Sequence, residues 1–321
     1  MNALVCPDAA FVLLLLFLVI HSVLDGYALG IGILVPWLHE KRVTDQLVEH
    51  IAPFWEANEV WLIIAVGFFF AAFPTVYALV MSAFYLPVMA MIGGLLLRAM
   101  ALEFSYLDGV RLCFWRRVMG LGSLLVILMS SWVLGWVLQG VCFVAPEEIC
   151  LRLTLDGLCL PLLLGLAGVA FFVWHGMLHA RMGARAAPLA RVAGWAWLFS
   201  LVLGVMVAGC WVWRMPLLLS KPLFWLGGGM WFMGLLGSRL LAGCEFWGFR
   251  VSALSMLGFW IAVAAGLYPD LLIATNHPEW TISIQQGAAQ VSALRVVMFA
   301  APVMMAVIAC YSYGIQKVIR R

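Results

Sequence analysis

AAFVLLLLFLVIHSVLDGYALGIGILVPW, residues 9–37, carries a single formal charge, at Asp25. At 1.5 Å rise per residue the run reaches about 43 Å as a helix, more than the ~30 Å hydrocarbon layer of a bilayer. Backbone polar groups in lipid must be satisfied within the spanning element, and the run is far too long for one barrel strand. It therefore predicts a transmembrane helix. A basic flank is missing and the apolar stretch exceeds that of a signal peptide, so a retained span is expected rather than a cleaved leader.

Working outward, the rest of the chain has the same character. Of its 321 residues, 66% are apolar and 10% charged, where soluble domains average about 25% charged; the mean hydropathy is +1.08. A water-facing surface cannot be built from that composition. It excludes a nucleic-acid-binding module, a disulfide-stapled secreted domain and a disordered tail. The expectation is one all-α polytopic membrane domain over 1–321 with nine spans. These fall at about 9–37, 54–81, 83–103, 118–144, 156–180, 189–213, 222–243, 251–268 and 291–316. The boundary between the second and third rests only on Ser82 and Pro87.

The basic residues orient this set. With the N-terminus outside, the inner segments carry thirteen Lys and Arg (Lys41, Arg42, Arg111, Arg116, Arg117, Arg181, Arg185, Arg191, Arg239, Arg250, Lys317, Arg320, Arg321) and the outer ones three, Arg152, Arg214 and Lys221. That asymmetry follows the positive-inside rule, which places the C-terminus in the cytoplasm. The longest outer segment is about 269–290. Eight cysteines are present without a Cys-x-x-Cys pair. Cys142, Cys150 and Cys159 fall outside, where a disulfide can form, and Cys142 with Cys150 is the pair left open.

A charge near the bilayer centre costs about 2.5–3.5 kcal/mol on insertion scales, so intramembrane ionisable groups are paired or functional. The set is His21, Asp25, Glu56, Asn58, Glu59, Arg98, Glu103, Gln139, His175, His179, Arg239 and Glu245. Topology carries Asp25, Glu56, Glu59, Arg98 and Glu103 to the inner third of the bilayer. Glycines 26, 30 and 32 beside Asp25 let another backbone approach closely. Pro53 and Glu56 suit the first turn of the second span, where the helix dipole favours a carboxylate. Two fates fit these acids: a structural Arg98–carboxylate pair with Glu56 at the interface, or an ion-conducting path. His175 and His179, four apart, could share a metal, but no nearby carboxylate or cysteine completes a ligand set. They read as satisfied or interfacial histidines.

The runs Asp25-Gly26-Tyr27-Ala28-Leu29-Gly30-Ile31-Gly32, Ile51-Ala52-Pro53-Phe54-Trp55-Glu56-Ala57-Asn58-Glu59-Val60-Trp61-Leu62 and Phe70-Ala71-Ala72-Phe73-Pro74-Thr75-Val76-Tyr77-Ala78 resemble, in order and spacing, subunit II of cytochrome bd-type quinol oxidases. Tyr85, Pro87, Arg98, Ala101, Glu103 and Phe104 continue the likeness. So do Leu138-Gln139-Gly140 and the Ser292–Tyr313 end; the cyanide-insensitive branch of the family fits as well. The family's nine-span layout agrees with the count above.

The resemblance implies a haem-free subunit of a respiratory-chain oxidoreductase in a bacterial inner membrane. It implies a heterodimer with a haem-bearing subunit I that holds haem b and haem d-type groups, oxidises quinol and reduces oxygen. A small accessory membrane subunit is a further expected partner. The chain itself is expected to bind no metal and to hold no complete active site. The resemblance puts Asp25, Glu56 and Asn58 on a proton route from the inner face, an oxygen route being the other reading. Arg98 is expected to pair structurally with Glu59 or Glu103. Two departures stand out: Trp55-Glu56-Ala57-Asn58 replaces Trp-Asp-Gly-Asn, and Ala28 stands where a second acid is usual. The competing class is a proton-coupled secondary transporter, for which the Gly227-Gly228-Gly229 step and Pro161 are the candidate helix breaks.

Overall fold

The computed structural model describes residues 7–38, 40–107, 111–146, 148–151, 153–181, 190–244 and 246–319. Arg152, Arg185, Glu245, Arg320 and Arg321, singled out above, lie outside the described residues. Among the described residues twelve α-helices form the body: α1 Pro7–Leu34, α2 Lys41–Ile51, α3 Trp55–Ala72, α4 Pro74–Ala83, α5 Tyr85–Leu107, α6 Leu112–Gln139, α7 Leu155–Ala180, α8 Ala190–Arg214, α9 Pro222–Leu240, α10 Trp247–Leu267, the single turn α11 Ile284–Gly287, and α12 Val291–Ile319. Two small antiparallel hairpins complete it, β1 Cys142–Ala145 with β2 Glu148–Cys150 and β3 Asp270–Leu272 with β4 Ile282–Ser283.

Among the described residues eight helices are long and apolar enough to cross a membrane. They correspond to eight of the nine expected spans. The remaining expected span, 222–243, is the 19-residue α9, which lies along α10 but is not one of the eight. Glycines 227–229 dilute its apolar character.

Two boundaries differ from the sequence reading for clear reasons. The stretch 54–81 is not one helix. Pro74 has no N–H and drives Phe73 out of the helical region (φ −135°, ψ 60°), which ends α3 and starts the short α4. The Ala72 carbonyl freed there accepts from the Ala289 N–H at 2.8 Å. The stretch 118–144 stops at Gln139, because Gly140 takes φ 81°, a conformation that only glycine adopts cheaply. Residues 142–145 then continue as β1.

α1 is the central element, packed on α3, α6, α7 and α10, while α5 runs along α6, α8 along α7, and α12 against α3. The glycines of α1 and α7 set its closest contact. A Cβ at Gly176 would meet the Tyr27 carbonyl at 2.7 Å, and one at Gly30 would overlap the Phe172 carbonyl. The expected close approach is therefore made by α7. At one end of the bundle lies α2, which turns Val43, Leu47, Val48 and Ile51 inward and leaves Lys41 and Arg42 exposed. At the other end the hairpins are stitched together. Val141 bridges Ala274, and the Asn276 side chain accepts from the Phe143 N–H (2.9 Å) and donates to its carbonyl (2.7 Å).

Candidate functional site

Three of the predicted charges meet between α1, α3 and α5, towards the α2 end. Arg98 Nη2 donates to Asp25 Oδ1 at 2.7 Å and to Glu59 Oε1 at 2.9 Å. Arg98 is 1% exposed and Asp25 fully buried, while Glu59 keeps 18% exposure. One guanidinium thus faces two carboxylates, leaving a net negative charge when all three are ionised. Removing such ions from water costs several kcal/mol each, which only mutual attraction and hydrogen bonds repay. Repayment inside the protein is partial: Asp25 Oδ2, Arg98 Nε and Nη1, and His21 Nδ1 are buried without a protein partner. His21 stands one turn before Asp25 on α1.

The other candidates occupy different places. Glu56 is exposed in the first turn of α3, three residues before Glu59 and on the same face. Glu103 is exposed on α5, five residues beyond Arg98 towards the α2 end, and is not in the Arg98 cluster. Asn58 is buried and takes its hydrogen-bond partners elsewhere than at the carboxylates. Its Nδ2 donates to the Leu24 carbonyl (2.7 Å) and to the Tyr27 hydroxyl (3.1 Å), tying α3 to α1.

A second polar group adjoins this one at the α2 end and includes His50, which sequence reading passed over. His50 Nε2 and His179 Nδ1 lie 2.9 Å apart, so one carries the proton between them. Tyr27 stacks on His179 with ring centroids 3.7 Å apart. Burial pushes the His50 imidazole below its ordinary pKa. His175, fully buried, has both nitrogens engaged, Nδ1 with Ser252 Oγ (2.7 Å) and Nε2 with the Val23 carbonyl (3.0 Å). Both nitrogens of His175 are thus taken up within the protein, whereas His179 uses only Nδ1 towards His50. Among the described residues no three His, Cys, Asp or Glu side chains cluster to hold a metal.

Residues 6–318 match the family model described as cytochrome bd terminal oxidase subunit II. The chain belongs to that family. It is a subunit of an oxygen-reducing terminal oxidase, an oxidoreductase of the respiratory chain and a multi-pass membrane protein. The chain is 26% identical to a probable cytochrome oxidase subunit 2 of Haemophilus influenzae, over 94% of this chain and 91% of the relative. It is 32% identical to the cytochrome bd-I ubiquinol oxidase subunit 2 of Escherichia coli, over 60% of this chain and 53% of the relative. The fold is similar to that of a bd oxidase chain from Geobacillus thermodenitrificans, with a TM-score of 0.64 at 10% identity across 99% of both chains.

Proposed function

We propose that this chain is the haem-free subunit II of a bd-type quinol oxidase in a bacterial inner membrane, set with nine spans and its N-terminus outside. In this reading it supports a haem-bearing subunit I and gives protons a path from the inner face towards that subunit. The Asp25–Arg98–Glu59 cluster carries the proposal. Two carboxylates sharing one guanidinium hold room for a single proton, whose arrival makes the cluster neutral.

The chemistry divides among the chain's own residues. The exposed acids at the α2 end, Glu56 and Glu103, collect protons from water. Glu59, one turn beyond Glu56 and partly exposed, passes a proton inward, and Asp25 holds it at the sealed end beside His21. Arg98 keeps both carboxylates in reach of each other. Asn58 sets the spacing of α1 and α3 through Leu24 and Tyr27, which is a positioning part rather than a place on the path. Haem b and haem d-type groups in subunit I would supply the electron chemistry that consumes these protons, with quinol as the reductant. The unpartnered polar atoms of Asp25, Arg98 and His21 support a hydrated path, since buried polar groups of this kind are where ordered water serves. The transporter alternative loses its footing in α7 and α9, which run unbroken through Pro161 and Gly227-Gly228-Gly229.

Steady-state oxygen consumption by the purified two-subunit complex tests this. Asp25→Asn keeps shape and a hydrogen-bond acceptor but cannot take a proton, so turnover should fall at least ~100-fold, the lower range for a positioned proton-transfer group. Asp25→Glu should restore part of it. Wild-type turnover in Asp25→Asn, with haem content unchanged, rejects the path.

A further inference from the structure

We infer that Cys142 and Cys150 form a cross-strand disulfide that locks the hairpin at the outer end of the bundle. The two residues are direct register partners at the open end of the β1–β2 hairpin. Directly opposed residues in an antiparallel pair point to the same face, with Cα atoms about 4.5–5.5 Å apart. That span lies inside the roughly 4.4–6.8 Å at which a disulfide closes without moving the backbone. Cys150 is exposed and Cys142 half-buried, so an external thiol reagent can reach the pair, and both are thiols in this structure.

The third outer cysteine, Cys159, lies on α7 beside Cys210 of α8 rather than in the hairpin. The location supplies the redox argument. The hairpin joins α6 to α7 at the end opposite α2, whose connecting segments carry few basic residues. On the orientation proposed above, that end faces the oxidising compartment, where disulfides persist.

The oxidant is a disulfide-bearing thiol oxidoreductase outside the membrane. One cysteine thiolate attacks its disulfide to give a mixed disulfide, and the second thiolate then displaces the reduced enzyme. One S–S bond forms here and one breaks in the donor, which leaves with two electrons and two protons. The closed loop, residues 142–150, is the strand pair from which the 270–284 segment hangs through the Val141–Ala274 bridge and Asn276. The link therefore stiffens the whole outer cap. It does not depend on the proton path.

The test uses the two-subunit complex in native membranes. Free thiols are alkylated under denaturing conditions without reductant, and the digest is read by peptide mass spectrometry. The expected product is one Cys142–Cys150 linked species lacking two hydrogens, lost on reduction. In Cys142→Ser, Cys150 should change from blocked to alkylated, and the reverse in Cys150→Ser. Recovery of both cysteines alkylated without reduction overturns the inference, and so does a link from either to another cysteine. A membrane-impermeant maleimide added to intact cells separates the causes of failure. Labelling of Cys113 and Cys244, at the α2 end, would mean the orientation is inverted. Their protection, with Cys142 and Cys150 alkylated, would refute the disulfide alone.

Discussion

Replacing Arg98 by methionine removes the only cation among the described residues that bonds Asp25 and Glu59 while keeping most of the side-chain volume. Two carboxylates are then left facing each other, one of them fully buried. Taking away one partner of a buried ion pair costs about 3–5 kcal/mol, because the remaining charge is neither hydrated nor compensated. Here two acids lose the same partner, so the upper part of that range applies. At about 2 °C per kcal/mol for a chain of this size, the melting temperature should drop by roughly 8–10 °C. The triple variant Asp25→Leu, Glu59→Leu, Arg98→Met removes the whole charge set. Apolar replacement of a buried ion pair is often neutral or stabilising by ~1–4 kcal/mol, so the triple variant should melt near or above the wild type. Both variants should be inactive, since neither retains the neutralisable cluster. Thermal unfolding of the purified complex, followed by tryptophan fluorescence, reads the stability difference. A single variant within about 2 °C of wild type, or a triple variant no more stable than the single one, would refute the coupling of the three charges.

Four further outcomes follow from the packing and the polar groups outside that cluster. Gly30→Ala should destabilise by about 3 kcal/mol, since its Cβ would overlap the Phe172 main chain and a backbone cannot yield cheaply. Gly228→Ala, with nothing within 4 Å, should be neutral or slightly stabilising in the same melting assay. His50 has a folded pKa below its unfolded value of about 6.5, so the unfolded chain binds the extra proton. The stability that the neutral His50–His179 pair contributes is therefore complete above that value and lost as pH falls below it. Melting temperatures between pH 7.5 and 5 should decline less steeply in His50→Gln, and an unchanged slope would contradict this. Lys221 Nζ donates to the carbonyls of Ala265 and Tyr268, both at 2.8 Å, at the end of α10. Lys221→Met should cost about 1–2 kcal/mol of stability and leave oxygen consumption unchanged.

The helices were legible because lipid leaves the backbone no alternative, and long apolar runs announce themselves. Their ends were less so. Pro74 acts through the residue before it, and Gly140 through a positive φ, so neither interrupts the hydropathy of 54–81 or 118–144. Asp25, Glu59 and Arg98 stood out because a charge inside an apolar run demands a partner. Their common level towards the α2 end followed from counting residues along alternating helices. Helix rotation was not readable at that level. It decides that Arg98 meets Asp25 as well as Glu59, that Glu103 turns outward, and that Asn58 reaches back to Leu24 and Tyr27. His50 gave no signal at all. It sits in α2 among charged neighbours, where a histidine costs nothing, and only the tertiary fold brings it to His179. The Cys142–Cys150 register was equally hidden, because strands of three and four residues carry too little alternation to set a pairing.

Proton uptake by the two-subunit complex on an oxygen pulse, read by a pH dye on the inner side, tests the central claim most directly. With wild-type haem content and quinol-reducible haems, Asp25→Asn should take up no protons from that side, and Asp25→Glu should recover measurable uptake. Uptake by Asp25→Asn at the wild-type rate and extent would contradict the account.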